Sequence, residues 1–422
     1  MQAPRKIKKK AVIFLRWTEK FTKTDMVYLA SGGFWSTTNY FVQFGLGLVV
    51  TIALANFLPK ESLGTYQFIL SVAGILSVLT LSGLGSAITR AVAQGKDGVL
   101  ISGLKKKLQW SIGITLASGV LSAYYFINGN NTFALAFLVV GVLSPFIESF
   151  KLYDNFLQGK EAFRDSVLLG AWRKPLPALS IIIAAWLTSD VLLLILVYFL
   201  SNAISYGAVY YKVIQKYRPP TAVDIETITL GKHLSILNVF NIITLHADKI
   251  LIWHFLGSTA VASFTIAQLA SRYSGTILNS LSAIVLPRVS KRDLQTLKTT
   301  LPRKVRLFSF FMLAGTVVYI LIAPLIMPVL FPQYTESVAL TQLLALGILF
   351  IPRKVYAKVF VAHRQTRPQY ILAISGFVSR IILLYILIPL FGVWGAAYAL
   401  LLSELMQSIL VRHLFHAAKN TL

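Results

Sequence analysis

The chain has 422 residues, 56% of them hydrophobic and only 13% charged, with a mean hydropathy of +0.70. So few polar residues cannot cover the surface of a soluble domain of this size. The absence of cysteine excludes disulfides, thiolate metal sites and cysteine nucleophiles, and the net charge of +25 has to be read from its placement.

In chain order, residues 1–27 form a basic arm that lacks the compact apolar core and small-residue site of a cleavable signal. Its segment 11–21 reads equally as an interfacial amphipathic helix or as a plain tether. From residue 28 onward, apolar stretches long enough to cross a bilayer recur. They predict twelve helices at about 28–56, 65–90, 108–127, 132–150, 166–188, 190–211, 233–256, 259–286, 305–327, 337–352, 368–390 and 393–415. The runs are too long, and lack the alternation, for a β-barrel.

Of the 40 Lys and Arg residues, 36 fall on the arm, on the loops 87–108, 151–174, 212–232, 287–306 and 353–367, and on the tail 412–419. The opposite loops, 57–64, 128–131, 188–190, 257–258, 328–336 and 391–392, hold Lys60 alone. This alternation is the positive-inside rule. It predicts a multi-pass protein with both termini cytoplasmic, held to anionic membrane lipids and not to nucleic acid. Lys249, Arg272 and Arg380 are left over, inside predicted helices.

The stretch 212–232, with Pro219-Pro220, separates two six-helix halves, 28–211 and 233–422. A shift of 198 residues sets Asn56-Phe57-Leu58 on His254-Phe255-Leu256, Tyr66 on Phe264 and Arg90 on Arg288. A shift of 203 sets Tyr153 on Tyr356, Gly159 on Ala362 and Arg164 on Arg367. Parallel repeats of this kind place a substrate near the midplane between them.

Charges within the bilayer cost about 2.5–3.5 kcal/mol each, so they face a cavity or a partner. In the eighth helix Gln268, Arg272, Gly275, Asn279 and Ser282 share one stripe, and in the seventh Asn238, Asn241, Thr244 and Asp248 share another, with Lys249 at its border. The eleventh helix carries Arg380, and the first lines Ser36, Asn39 and Gln43 along one face. The functional reading is a hydrated cavity whose cations, Lys249, Arg272 and Arg380, receive an anionic substrate, Arg being suited to bidentate phosphate binding. The substrate-binding candidates are therefore Arg272, Arg380, Lys249, Asn241, Gln268, Asn279, Asn39 and Gln43. Asp248 has two readings of equal weight: a coupling-ion carrier, or a structural ion pair with Arg272 or Arg380. His246 points away from the polar stripe, Glu148 and Glu404 sit near cytoplasmic helix ends, and Arg90 and Arg288 read as anchors there. The chain has no Gly-Lys-Ser/Thr phosphate loop, no Asp-x-Asp motif on an opposite loop and no cluster with metal-ligand spacing. It is expected to be neither an enzyme nor dependent on a cofactor or metal.

Three stretches carry a resemblance. Leu63-Gly64-Thr65-Tyr66-Gln67-Phe68, Leu81-Ser82-Gly83-Leu84-Gly85-Ser86-Ala87 with Arg90-Ala91-Val92-Ala93-Gln94-Gly95-Lys96, and Ala247-Asp248-Lys249-Ile250-Leu251-Ile252 resemble bacterial polysaccharide-biosynthesis flippases of the Wzx type. The resemblance implies the multidrug/oligosaccharidyl-lipid/polysaccharide exporter superfamily. The expected fold is all-α and polytopic, with about twelve transmembrane helices in two pseudosymmetric six-helix bundles around a central cavity. It implies alternating access in the bacterial inner membrane, with an undecaprenyl-diphosphate-linked oligosaccharide as substrate and a polysaccharide polymerase and other assembly proteins as further partners. Three rivals remain: a cation-coupled multidrug exporter of the same fold, which would want acidic residues in the cavity; a membrane polymerase or glycosyltransferase, which would want a large outer loop; and a non-transporting scaffold for a polysaccharide assembly complex.

Overall fold

The computed structural model describes residues 26–221, 224–272, 294–363 and 365–418, with backbone alone for 26–41. The helices are α1 (Met26–Phe57), α2 (Lys60–Leu76), α3 (Leu84–Ala93), α4 (Val99–Ile127), α5 (Asn131–Phe150), α6 (Leu152–Gly159), α7 (Phe163–Arg173) and α8 (Pro175–Leu187). There follow α9 (Val191–Tyr217), α10 (Ile225–Leu256), α11 (Ser258–Ala267), α12 (Leu294–Leu330), α13 (Val338–Ala345), α14 (Lys354–Ala362) and α15 (Thr366–Ala417).

Among the described residues nine helical runs are long and apolar enough to cross a membrane, and Val42–Phe57 and Ser258–Ala267 are shorter apolar helices. The last run, α15, has 52 residues, about 78 Å of helix, more than twice the bilayer's apolar thickness of about 30 Å. It is a hairpin. Gly392 adopts φ +59°, a conformation glycine takes without steric cost. Arg380 meets Ser403 and Ser375 meets Gln407, pairs centred on the same point of the chain. A Cβ on Gly395 would lie 1.9 Å from the Leu387 carbonyl oxygen, so only glycine lets the two arms meet. Split there, the described residues hold ten long apolar runs beside the two shorter helices.

The outward face is apolar because its solvent is lipid: Phe310, Phe311, Leu321, Leu325 and Val329 of α12 are all exposed. Inside, small residues let helices approach. On the α4–α5 hairpin Thr115 and Ser122 donate to the carbonyls of Gly141 and Ala134 at 2.8 and 2.7 Å.

Several expected single helices are broken. The run expected at 65–90 stops where Leu81 turns left-handed (φ 56°) and restarts as α3. The run expected at 166–188 divides at Lys174, where Pro175, which has no N–H to donate, begins α8. Conversely, α9 runs on to Tyr217 and α10 begins at Ile225, so the stretch read as linker is largely helix. The offset of 203 residues recurs in burial: Tyr153, Phe156 and Leu157 of α6 are buried, and so are Tyr356, Val359 and Phe360 of α14.

The halves meet where α2 and α3 pack on α10 and α11, and polar contacts join them at two seams. On the side of the basic loops, the Gly83 amide donates to Ser235 Oγ at 3.0 Å, and Lys96 pairs with Asp224 (3.1 Å) and Glu226 (3.7 Å). On the far side, Lys60 pairs with Glu336, and Asn56 Nδ2 donates to the Leu330 carbonyl at 2.9 Å.

Candidate functional site

A cavity of about 630 Å³ lies between these seams, built mainly from the first half. Gln43 and Gly47 reach it from α1, Tyr66 from α2, Asp154 and Asn155 from α6, and Ser166 and Arg173 from α7. Two of its cations sit at helix joints: Lys151 between α5 and α6, and Lys174 between α7 and α8. Helix α9 contributes Tyr198, Asn202 and Tyr206, spaced by four residues and so aligned on one face. Arg272, its amide bonded to the Gln268 carbonyl beyond the end of α11, is the contribution from the second half.

The balance of charge is cationic. Lys151, Arg173, Lys174 and Arg272 line the cavity against one carboxylate, Asp154. Asp154 is already satisfied by Ser166 Oγ at 2.7 Å and Gln158 Nε2 at 2.9 Å. Lys151 pairs with Glu148, which also meets the buried Lys107 at 3.7 Å. Arg173 stacks on Tyr206, its guanidinium carbon 4.0 Å from the ring centroid, and Lys151 Nζ lies 5.7 Å from the same centroid. Cations in a concave, partly desolvated site with unsaturated donors can hold phosphate or carboxylate oxygens.

Of the expected site residues, Arg272 and Gln43 line this cavity. Asp248, Gln268 and Arg380 form a cluster outside its lining, with Lys249 next to Asp248 in the chain. Asp248, only 1% exposed, accepts from Gln268 Nε2 at 3.0 Å and lies 3.9 Å from Arg380 Nη2. Lys249 Nζ donates across the seam to Gln67 Oε1 at 3.3 Å, one residue along from the cavity's Tyr66. Asn241 is exposed, its side chain bonded back to the Leu237 carbonyl. His246 packs its ring on Gly74 of α2. The side chain of Asn39, and all of Gly275, Asn279, Ser282 and Arg288, lie outside the described residues. Among the described residues no group of His, Asp and Glu is placed to hold a metal ion.

Sequence reasoning missed Lys151, Arg173 and Lys174 because it counted them as loop charge. A signal was present: Arg173-Lys174 precedes Pro175, which has no N–H and interrupts the helical hydrogen-bond ladder beside these two residues. The Tyr198, Asn202 and Tyr206 stripe was also legible at its four-residue spacing.

A family described as "Polysaccharide biosynthesis protein" matches residues 29–292, more than half of the chain. Among solved structures, an inward-facing multidrug-resistance MATE family transporter of the MOP superfamily aligns with a TM-score of 0.71 at 15% identity, covering 91% of this chain and 98% of that one. The lipid II flippase MurJ in an inward closed conformation gives 0.71 at 18% identity, covering 90% and 87%. A MOP superfamily transporter from Pyrococcus furiosus, described by the reverse polarity of its binding pocket, gives 0.66 at 16%, covering 94% and 96%. No curated protein matches the sequence. The fold is therefore the all-helical, multi-span fold of MOP superfamily transporters.

Proposed function

The chain belongs to the polysaccharide biosynthesis protein family, and from that membership and its cavity we propose that it is a flippase for a polyprenyl-diphosphate-linked oligosaccharide. The observation that carries this reading is the excess of cations over acids in the cavity: Lys151, Arg173, Lys174 and Arg272 against Asp154. An anionic headgroup is attracted to such a cleft and an organic cation is repelled from it. Charge-assisted hydrogen bonds to phosphate are worth about 1.5–3 kcal/mol each, enough for a few of them to draw the headgroup from water while the lipid tail stays in the bilayer.

On this reading the membrane is the bacterial inner membrane, with both termini cytoplasmic, and the substrate is undecaprenyl-linked. Units 28–211 and 233–422 exchange the two seams in alternating access. Arg380, Lys249, Gln268, Asn241, Asn39 and Asn279 serve the passage of the headgroup. Asp248, held between Gln268 and Arg380, is the candidate for ion coupling. That one structurally similar protein is a lipid II flippase supports a lipid-linked substrate for the fold.

The test is transport in proteoliposomes, comparing a fluorescent polyprenyl-diphosphate sugar with a cationic dye. The expected result is protein-dependent transbilayer movement of the lipid-linked sugar and none of the dye. Movement of the dye alone would establish the drug-exporter reading instead.

A further inference from the structure

Two of the cavity's cations are held in an unusual way. Lys151 and Arg173 come from separate elements, one at the α5–α6 joint and one at the end of α7. Like charges gathered in a low-dielectric site repel, and the ordinary remedy is a carboxylate between them. Glu148 serves Lys151 in this way, but among the described residues no carboxylate lies within ion-pair distance of Arg173. The group common to both cations is the ring of Tyr206, with Arg173 4.0 Å and Lys151 5.7 Å from its centroid. The ring is itself backed by Tyr153, centroid to centroid 6.3 Å.

We propose that Tyr206 is a positioning residue that presents Arg173 and Lys151 together to the two phosphates of the substrate. The proposal rests on the anionic-headgroup reading above. An aromatic face attracts cations through its quadrupole and carries no net charge, so it holds Arg173 beside the Lys151–Glu148 pair without neutralising the guanidinium, as a carboxylate would. Stacking occupies the flat face of the guanidinium. It does not take up the in-plane N–H edge, which Tyr153 engages in part and which is the part that binds phosphate oxygens. Arg173 Nε, buried and without a hydrogen bond among the described residues, is consistent with a donor set left for a ligand. A ligand with two linked phosphates can engage both cations at once, and a single phosphate cannot gain the same advantage from their pairing. The attraction depends on the ring and not on the hydroxyl, so phenylalanine should serve.

The experiment measures binding of inorganic pyrophosphate and inorganic phosphate to the full chain in lipid nanodiscs by calorimetry. The variants are Tyr206→Phe, Tyr206→Leu, Arg173→Gln and the combination Y206L/R173Q. Expected are pyrophosphate affinity within about threefold of wild type for Y206F and about tenfold weaker for Y206L, the size a desolvated cation–π contact supports. Phosphate affinity should change less than pyrophosphate affinity. Because Tyr206 acts largely through Arg173, Y206L should cost much less in the R173Q background than alone. If Y206L does not yield a monodisperse protein, Tyr206→Met, unbranched and better able to fill the space, is read in its place. Wild-type affinity in Y206L, or a Y206F as weak as Y206L, would overturn the positioning role and leave the anionic reading intact. Failure of the wild type to bind pyrophosphate would overturn both.

Discussion

At the scale of the residue, the coupling candidate Asp248 is also a structural contact, lying 3.9 Å from Arg380 and bonded to Gln268 and to the amide of Lys249. Removing one partner of a buried pair strands the other charge, at a cost of roughly 3–5 kcal/mol. D248N and R380Q should therefore each lower the thermal stability of the detergent-solubilised protein. The double variant D248N/R380Q should recover part of the loss; strictly additive losses would show that the two do not form a pair. The pairing half of the sequence expectation for Asp248 was legible from its company of cations. The choice of Arg380 over Arg272 was not, because helical angles locate a side chain on its own helix but not the helix it faces. Lys107 shows the same limit from the other direction. Counted with a loop, it lies within α4 with its side chain 6% exposed, against Glu148.

At the scale of the element, the glycines of the family-like motifs mark the seams. A Cβ on Gly64 would lie 1.8 Å from the Ser258 carbonyl oxygen, and one on Gly83 would lie 2.4 Å from the Ser235 amide nitrogen. Backbone against backbone, neither contact can relax around an added methyl. Gly64→Ala should hold the far-side seam apart and Gly83→Ala the basic-loop seam. The chain has no cysteine, so spin labels at introduced cysteine pairs across each seam report without background. Unchanged distance distributions in both variants would contradict the assignment. The basic-loop seam also predicts a pH response. Hydrogen bonds from Thr227 and Lys96 hold the Asp224 carboxyl below its ordinary 3.8, and Asp224 holds Lys96 above its ordinary 10.5. The carboxylate's contribution is thus complete above pH 3.8 and lost as pH falls through its depressed value; that of Lys96 is complete below 10.5 and lost as pH rises through its raised value. Label distances at this seam should be flat between about pH 5 and 9 and lengthen only under stronger acid or alkali. Asp224→Asn should bring part of the acid effect to neutral pH. The all-helical, multi-span character was readable because the spans are long apolar runs. The break at Leu81 was not, because a left-handed turn within an apolar run leaves the hydropathy unchanged; the division at Lys174 was marked in the sequence by Pro175.

At the scale of the whole molecule, the positive-inside pattern and the cavity draw on the same residues. Lys151, Arg173 and Lys174 follow the charge rule for a loop and also line the cavity, so topology and ligand chemistry cannot be separated by composition. The sequence expectation drew its cavity cations from the second half. The structure brings Arg272 from that half to three cations of the first, with Lys249 reaching Gln67 across the seam beside them. The most direct test of the account is the rate at which a fluorescent polyprenyl-diphosphate sugar crosses proteoliposome membranes carrying wild type, Arg173→Ala or Arg272→Ala at equal, verified insertion. The account predicts that each variant moves the lipid at least about tenfold more slowly, the loss of one charge-assisted phosphate contact. Wild-type rates in both variants would contradict it.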